Sequence, residues 1–131
     1  MLFRSELQRL AASPLVSIGA HTLNHPTQAS LGEAEARIEI GQSRAWLEHA
    51  LHRPVSTFAY PYGLPIQDYS AATVDVVRDL GFRLAFSTVP GFVTASAPAL
   101  ELPRFLMLGS VDAIELAHRL SHSWHPTGEA A

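Results

Sequence analysis

Two histidines four residues apart, His21 and His25, stand in the run Gly19-Ala20-His21-Thr22-Leu23-Asn24-His25-Pro26. Neutral imidazole is a good nitrogen ligand, and two rings at this spacing can converge on one divalent ion when the residues between them make a helical turn. Zn²⁺, Co²⁺ and Ni²⁺ all accept such ligands. Histidines also fall four apart by chance, so the pair gains meaning from its context. Thr22 occupies the position where a thermolysin-like motif carries its catalytic glutamate, which excludes that chemistry.

A second run, Phe58-Ala59-Tyr60-Pro61-Tyr62-Gly63, reads either as a plain strand-to-turn junction or as backbone amides and aromatic rings at the rim of a pocket. A third, Leu102-Pro103-Arg104-Phe105, puts an arginine in an apolar segment. A surface salt bridge and a guanidinium orienting a carboxylate or substrate are both open to it. His118 and His122 repeat the four-residue spacing near His125 and could chelate a metal or supply an acid, although solvated histidines are unremarkable near a terminus. His49 and His52 fall at the end of a helix, where imidazolium favours the dipole. Trp46 and Trp124 suit either a core or a sugar face, and Asp68 is a candidate carboxylate in a loop.

These residues need elements to hold them. Helices are expected over Leu2–Ala12, ended by Ser13-Pro14, from a Ser30/Glu33 capping box to about His52, from Ala71 to Leu80 with Gly81 at C′, and over Asp112–His122. Strands are expected near 16–20, 55–60, 83–87 and 102–108, and residues 123–131 are expected to be a frayed tail. Alternating strands and helices predict an α/β fold, a partial (β/α) barrel of about four parallel strands. In such folds ligands gather at the carboxyl ends of strands, where the His21 and Tyr60 motifs fall. An incomplete sheet exposes an unpaired edge, so self-association through that edge is expected.

Composition narrows the function further. With 131 residues, 47% hydrophobic and 16% charged, the chain is a single globular domain. A net charge of −3 and only 9 Lys+Arg give no basic field for nucleic acid. The absence of cysteine excludes disulfides, thiolate zinc sites and cysteine nucleophiles and leaves the compartment open. Arg4, Glu6 and Arg9 interrupt the opening stretch, so it does not read as a signal peptide, and no apolar run reaches the length of a transmembrane segment.

In this order the three motifs resemble the polysaccharide deacetylase family, the carbohydrate esterases that share the NodB-homology domain, over about residues 5–108. His21-Thr22-Leu23-Asn24-His25 matches the family's His-[Ser/Thr]-x-x-His motif, and Phe58-Ala59-Tyr60-Pro61-Tyr62-Gly63 a variant of its Arg-Pro-Pro-Tyr-Gly motif. The spans Leu80-Gly81-Phe82 and Leu102-Pro103-Arg104 also sit where one bacterial branch has them. The resemblance implies that His21 and His25 are two of three protein ligands to a divalent metal, usually Zn²⁺, with Thr22 bracing their loop. It implies that the Tyr62 N–H lies in an oxyanion hole, with Tyr60, Pro61 and Gly63 lining the substrate site, and that an acetylated glycan yields acetate and a free amine or hydroxyl.

The departures carry equal weight. The family's opening Asp-Asp motif, source of the third ligand and general base, has no counterpart, since no Asp precedes His21. Ala59 replaces the motif's arginine, whose carboxylate-orienting role could pass to Arg104, and the late Leu-x-His motif is missing. The chain is therefore expected to be a deacetylase domain truncated at its N-terminal side. A noncatalytic glycan-binding or interaction remnant of that fold is the alternative.

Overall fold

The computed structural model describes residues 4–107 and 109–123. Its helices start and stop where the sequence provides partners for their end groups. Helix α1 (Arg4–Ala11) stops just before Ser13-Pro14. Helix α2 (Glu33–Leu51) begins two residues later than the Ser30/Glu33 signal predicts. The Ser30 hydroxyl donates to the Thr27 carbonyl at 2.7 Å, and Gly32 takes the N-cap position, its N–H donating to Glu35 Oε2 at 3.1 Å. Glycine has no side chain to return that bond, so only half of a capping box forms.

At its far end α2 closes on His52, in the left-handed region at φ 53°. Helix α3 (Ala71–Asp79) starts on Ser70, whose hydroxyl accepts the Thr73 N–H. It ends as expected on Gly81, at φ +80°, where Gly81 N–H donates to Arg78 O and Phe82 N–H to Val77 O, a Schellman closure. Helix α4 (Ala113–Ser123) is capped by Asp112, which accepts the Glu115 N–H at 2.8 Å. No helix among the described residues is long and apolar enough to cross a membrane.

Strands β1 (Thr57–Ala59) and β2 (Leu84–Phe86) pair in parallel, with Phe58 opposite Ala85. Ala20 bridges to Phe58 on one side and Leu102 to Phe86 on the other, both parallel. Four segments thus lie side by side in chain order, as a (β/α) arrangement requires. The outer two are shorter than expected. The predicted strands 16–20 and 102–108 contract to single bridges: among the described residues each has a paired neighbour on one side only, and past Leu102 the Arg104 N–H slips out of register to Val89 O at 3.0 Å. Leu108 lies outside the described residues, as do Trp124, His125 and, apart from Ser123, the expected frayed tail.

Helices α2 and α3 cover one face of this sheet. Phe58 and Tyr60, two apart and hence on the same face, join Ile40 from α2 and Val74, Val76 and Val77 from α3 in one buried cluster. Glu48 and Arg44 pin α2 to its neighbours: Glu48 Oε1 accepts the Val55 N–H and Arg44 Nε, both at 2.9 Å, and the Arg44 guanidinium also reaches the Leu80 carbonyl. The parallel segments and their crossovers bring the chain into the same edge of the sheet at His21, Tyr60, Ser87 and Pro103.

Candidate active site

Ala20 donates its N–H to Thr57 O at 2.9 Å and accepts from Ala59 N–H at 3.0 Å, so the next residue, His21, emerges at the carboxyl edge of the sheet beside β1. There its Nδ1 lies 2.7 Å from the Ala59 carbonyl oxygen. A carbonyl can only accept, so Nδ1 carries the hydrogen and the Nε2 lone pair is left outward. That is the tautomer a metal-binding imidazole needs, held by the kind of outer partner such ligands have. The His25 ring follows, its centroid 4.8 Å from that of His21 at an interplanar angle of 70°. Both side chains are exposed.

The two rings do not meet through a helical turn. Thr22 and His25 adopt left-handed conformations, at φ 67° and 57°, which cost about 1–2 kcal/mol each for residues with a Cβ. The resulting tight loop is closed by the His25 N–H donating to Thr22 Oγ1 at 3.1 Å, the bracing role expected for Thr22. From outside, Glu39 on α2 accepts three bonds: Leu23 N–H and Asn24 N–H on Oε2, each at 3.0 Å, and Asn24 Nδ2 on Oε1 at 2.7 Å. Burial works against the Glu39 charge, but the Asn24 and Leu23 donors outweigh it and hold the carboxyl below its ordinary range. Beyond His25, the buried Gln28 donates from Nε2 to Pro26 O at 3.1 Å.

Tyr62 faces His25 edge-on, ring centroids 4.9 Å apart. Its φ of 59° turns the backbone sharply, and its N–H takes part in none of the hydrogen bonds among the described residues. Gly63 follows at φ +83°, where an added Cβ would lie 2.9 Å from Thr88 N and Cγ2. The turn is tied to the end of β2 by Thr88 N–H donating to Gly63 O and Thr88 Oγ1 to Tyr62 O.

The three residues expected to contact substrate lie inward of Tyr62 in the structure. Tyr60, Pro61 and Gly63 are buried and only Tyr62, 58% exposed, stands at the rim. Strand alternation places Tyr60 on the Phe58 face, where it stacks on Tyr69 with centroids 3.8 Å apart and donates its hydroxyl to Leu100 O. Burial, more than any neighbour, pushes both phenols above their ordinary range. Pro61 and Gly63 shape the turn that presents Tyr62.

Arg104 is exposed and donates from Nε to Ser87 O at 2.7 Å, across the carboxyl end of β2. No carboxylate among the described residues pairs with it. Asp68 is buried, and its Oδ2 accepts the Leu64 N–H at 2.8 Å, closing its own loop. Trp46 is half exposed and lines, with Gly19, His21, Thr22, Leu23, Ser43 and Leu47, a groove of about 510 Å³ beside the first histidine. His118 lies on α4, while His49 and His52 sit together at the end of α2.

The donor set fits a divalent ion as far as it goes: two imidazoles converge, one in a fixed tautomer. Among the described residues no group of three or more His, Cys, Asp or Glu completes such a site. Sequence reasoning missed Glu39 and Gln28, which carry no motif and act only through the fold.

The fold is shared with known proteins. The chain is similar in fold to a Streptococcus pyogenes deacetylase, PplD, solved with acetate (TM-score 0.80, 23% identity, 90% of this chain and 50% of that one). It is similar also to a polysaccharide deacetylase from Bacillus cereus (TM-score 0.77, 23% identity, 91% and 36%) and to IcaB from Ammonifex degensii (TM-score 0.72, 22% identity, 91% and 53%). The chain thus spans about half or less of the length of these relatives. No curated protein matches it in sequence. The family model for polysaccharide deacetylase matches residues 3–85, well over half of the chain. The chain belongs to the polysaccharide deacetylase family.

Proposed function

We propose that the chain carries the two-histidine part of a metal-dependent hydrolase that removes acetyl groups from N-acetylated or O-acetylated glycans. The observation that carries this reading is the bond from His21 Nδ1 to Ala59 O, which leaves a nitrogen lone pair beside His25 and the Tyr62 turn. His21 and His25 would hold the metal, with Zn²⁺ first and Co²⁺ or Ni²⁺ as alternatives; when bound it supplies Lewis-acid polarisation and an activated water. The Tyr62 N–H is the donor for negative charge developing on the acetyl oxygen. Arg104, anchored on Ser87 O, would orient a carboxylate supplied from outside the described residues, and that carboxylate would serve as general base and further ligand. Residues 1–131 would act as one domain, and the sheet edge beside Ala20, unpaired among the described residues, supports self-association.

The test is acetate release from N-acetylglucosamine oligomers with Zn²⁺, by the chain alone and by the chain joined to a family segment bearing an Asp-Asp motif. A general base contributes typically about 10²- to 10⁴-fold, so the joined protein should turn over and the chain alone should be slower by about that factor. His25→Ala should abolish turnover in the joined protein, and a joined protein without turnover would refute the reading. A second reading, glycan binding without turnover, is favoured by the missing third ligand among the described residues and by the Trp46 groove. Calorimetry showing sugar affinity in a joined protein that releases no acetate would select it.

A further inference from the structure

We propose that Glu39 is a positioning residue: from α2 it clamps the loop between His21 and His25 and so sets the angle at which the two imidazoles meet. The proposal rests on the metal-site reading for its purpose but on geometry for its substance. The loop is short, left-handed at Thr22 and again at His25, and closed internally by one backbone-to-hydroxyl bond. Its His21 end is fixed to β1 through the Ala59 carbonyl. Among the described residues its middle is fixed to α2 by Glu39, which takes the Leu23 and Asn24 amides on one oxygen and the Asn24 side-chain amide on the other.

All three bonds are donations to Glu39, so the site requires an acceptor on both oxygens. Glutamine in its place keeps the shape but can accept on one side only, leaving an N–H₂ group against a donor. The pair with Asn24 also admits a swap. In Glu39→Gln combined with Asn24→Asp, the carbonyl of the introduced glutamine would take the two backbone amides while its N–H₂ donates to the new carboxylate, with the net charge unchanged. Asn24→Asp alone sets two carboxylates against each other. Each single variant should therefore be damaging, and the double variant should be less so.

Two measurements read this out in the whole chain. In the metal-free protein, amide hydrogen exchange at Leu23 and at residue 24 should quicken about 10-fold or more in each single variant and return to within about 3-fold of wild type in the double. Zn²⁺ affinity by calorimetry should fall about 10- to 100-fold in each single variant and recover in the double. Glu48→Gln, on the same helix but away from the loop, should lower the melting temperature and leave Zn²⁺ affinity unchanged. Wild-type exchange in Glu39→Gln, or a double variant no better than the singles, overturns the proposal. Wild-type Zn²⁺ uptake no greater than that of His21→Ala would instead refute the metal reading, while the exchange measurement still decides the clamp.

Discussion

His21 Nδ1 sits 2.7 Å from the carbonyl oxygen of Ala59, so the side chain that ends one parallel segment is aimed by the backbone of the next. The register of the sheet, set where Ala20 bridges to Phe58, is thereby also the register of the histidine site. Any change that slips Ala20 against β1 moves the ring from its acceptor.

The first prediction concerns that ring. In the metal-free chain, nitrogen-detected NMR should show a His21 hydrogen on Nδ1, donated to the Ala59 carbonyl. His21→Ala should abolish specific Zn²⁺ binding, whereas His118→Ala, on α4, should leave it intact. Equal losses from both variants would move the metal to the C-terminal helix.

A second prediction tests the turn that presents Tyr62. Gly63→Ala forces a Cβ into the left-handed region and to within 2.9 Å of Thr88 N, a backbone atom that cannot swing away. The loss should be about 2 kcal/mol or more in urea unfolding. Gly109→Ala, with nothing within 4 Å of the added carbon, is the control and should be nearly neutral. Similar midpoints for the two variants would contradict the geometry.

The third is a pH dependence. The Val55 N–H, then the Arg44 guanidinium, hold the Glu48 carboxyl below its ordinary value of 4.5 against the opposing effect of burial. A depressed folded value means that stability from this group is fully present above the unfolded value and is lost as pH falls through the folded one. Glu48→Gln should therefore lower stability near neutrality by about 1–2 kcal/mol and flatten the acid side of the profile. Wild-type and variant curves that stay parallel from about pH 6 to about pH 3 would remove Glu48 from the account.

Much of this arrangement was legible in the sequence because local rules decided it. Gly81 ends α3 where positive φ is needed, and both polar motifs follow apolar segments that become neighbours in one parallel sheet. The burial of Tyr60 also had its signal in the sequence: two residues from Phe58, it shares the core face, leaving Tyr62 to the solvent. Glu39 was not legible. It is one of several acids on α2, and only the packing of that helix beside the His21 loop, fifteen and sixteen positions away in sequence, distinguishes it. Trp46, which in the sequence suits either a core or a sugar face, becomes a groove wall because no described element covers it.

The last prediction follows from the edge beside Ala20. Ala20 turns both its N–H and its carbonyl toward β1. In a parallel ladder the groups of Gly19 and His21 then point the other way, and among the described residues no strand pairs with them. The apolar groove lined by Gly19, His21, Leu23 and Trp46 lies along the same margin. An open edge flanked by apolar surface favours pairing with another chain. Light scattering should give a mass that rises with concentration above the 14.2 kDa of one chain. Ser17→Lys, at an exposed position of the same segment, should return the mass toward one chain without unfolding it, because a charge on an edge strand opposes pairing. A wild-type chain that stays at one-chain mass at every concentration would show that the edge is protected, and self-association would have to be abandoned.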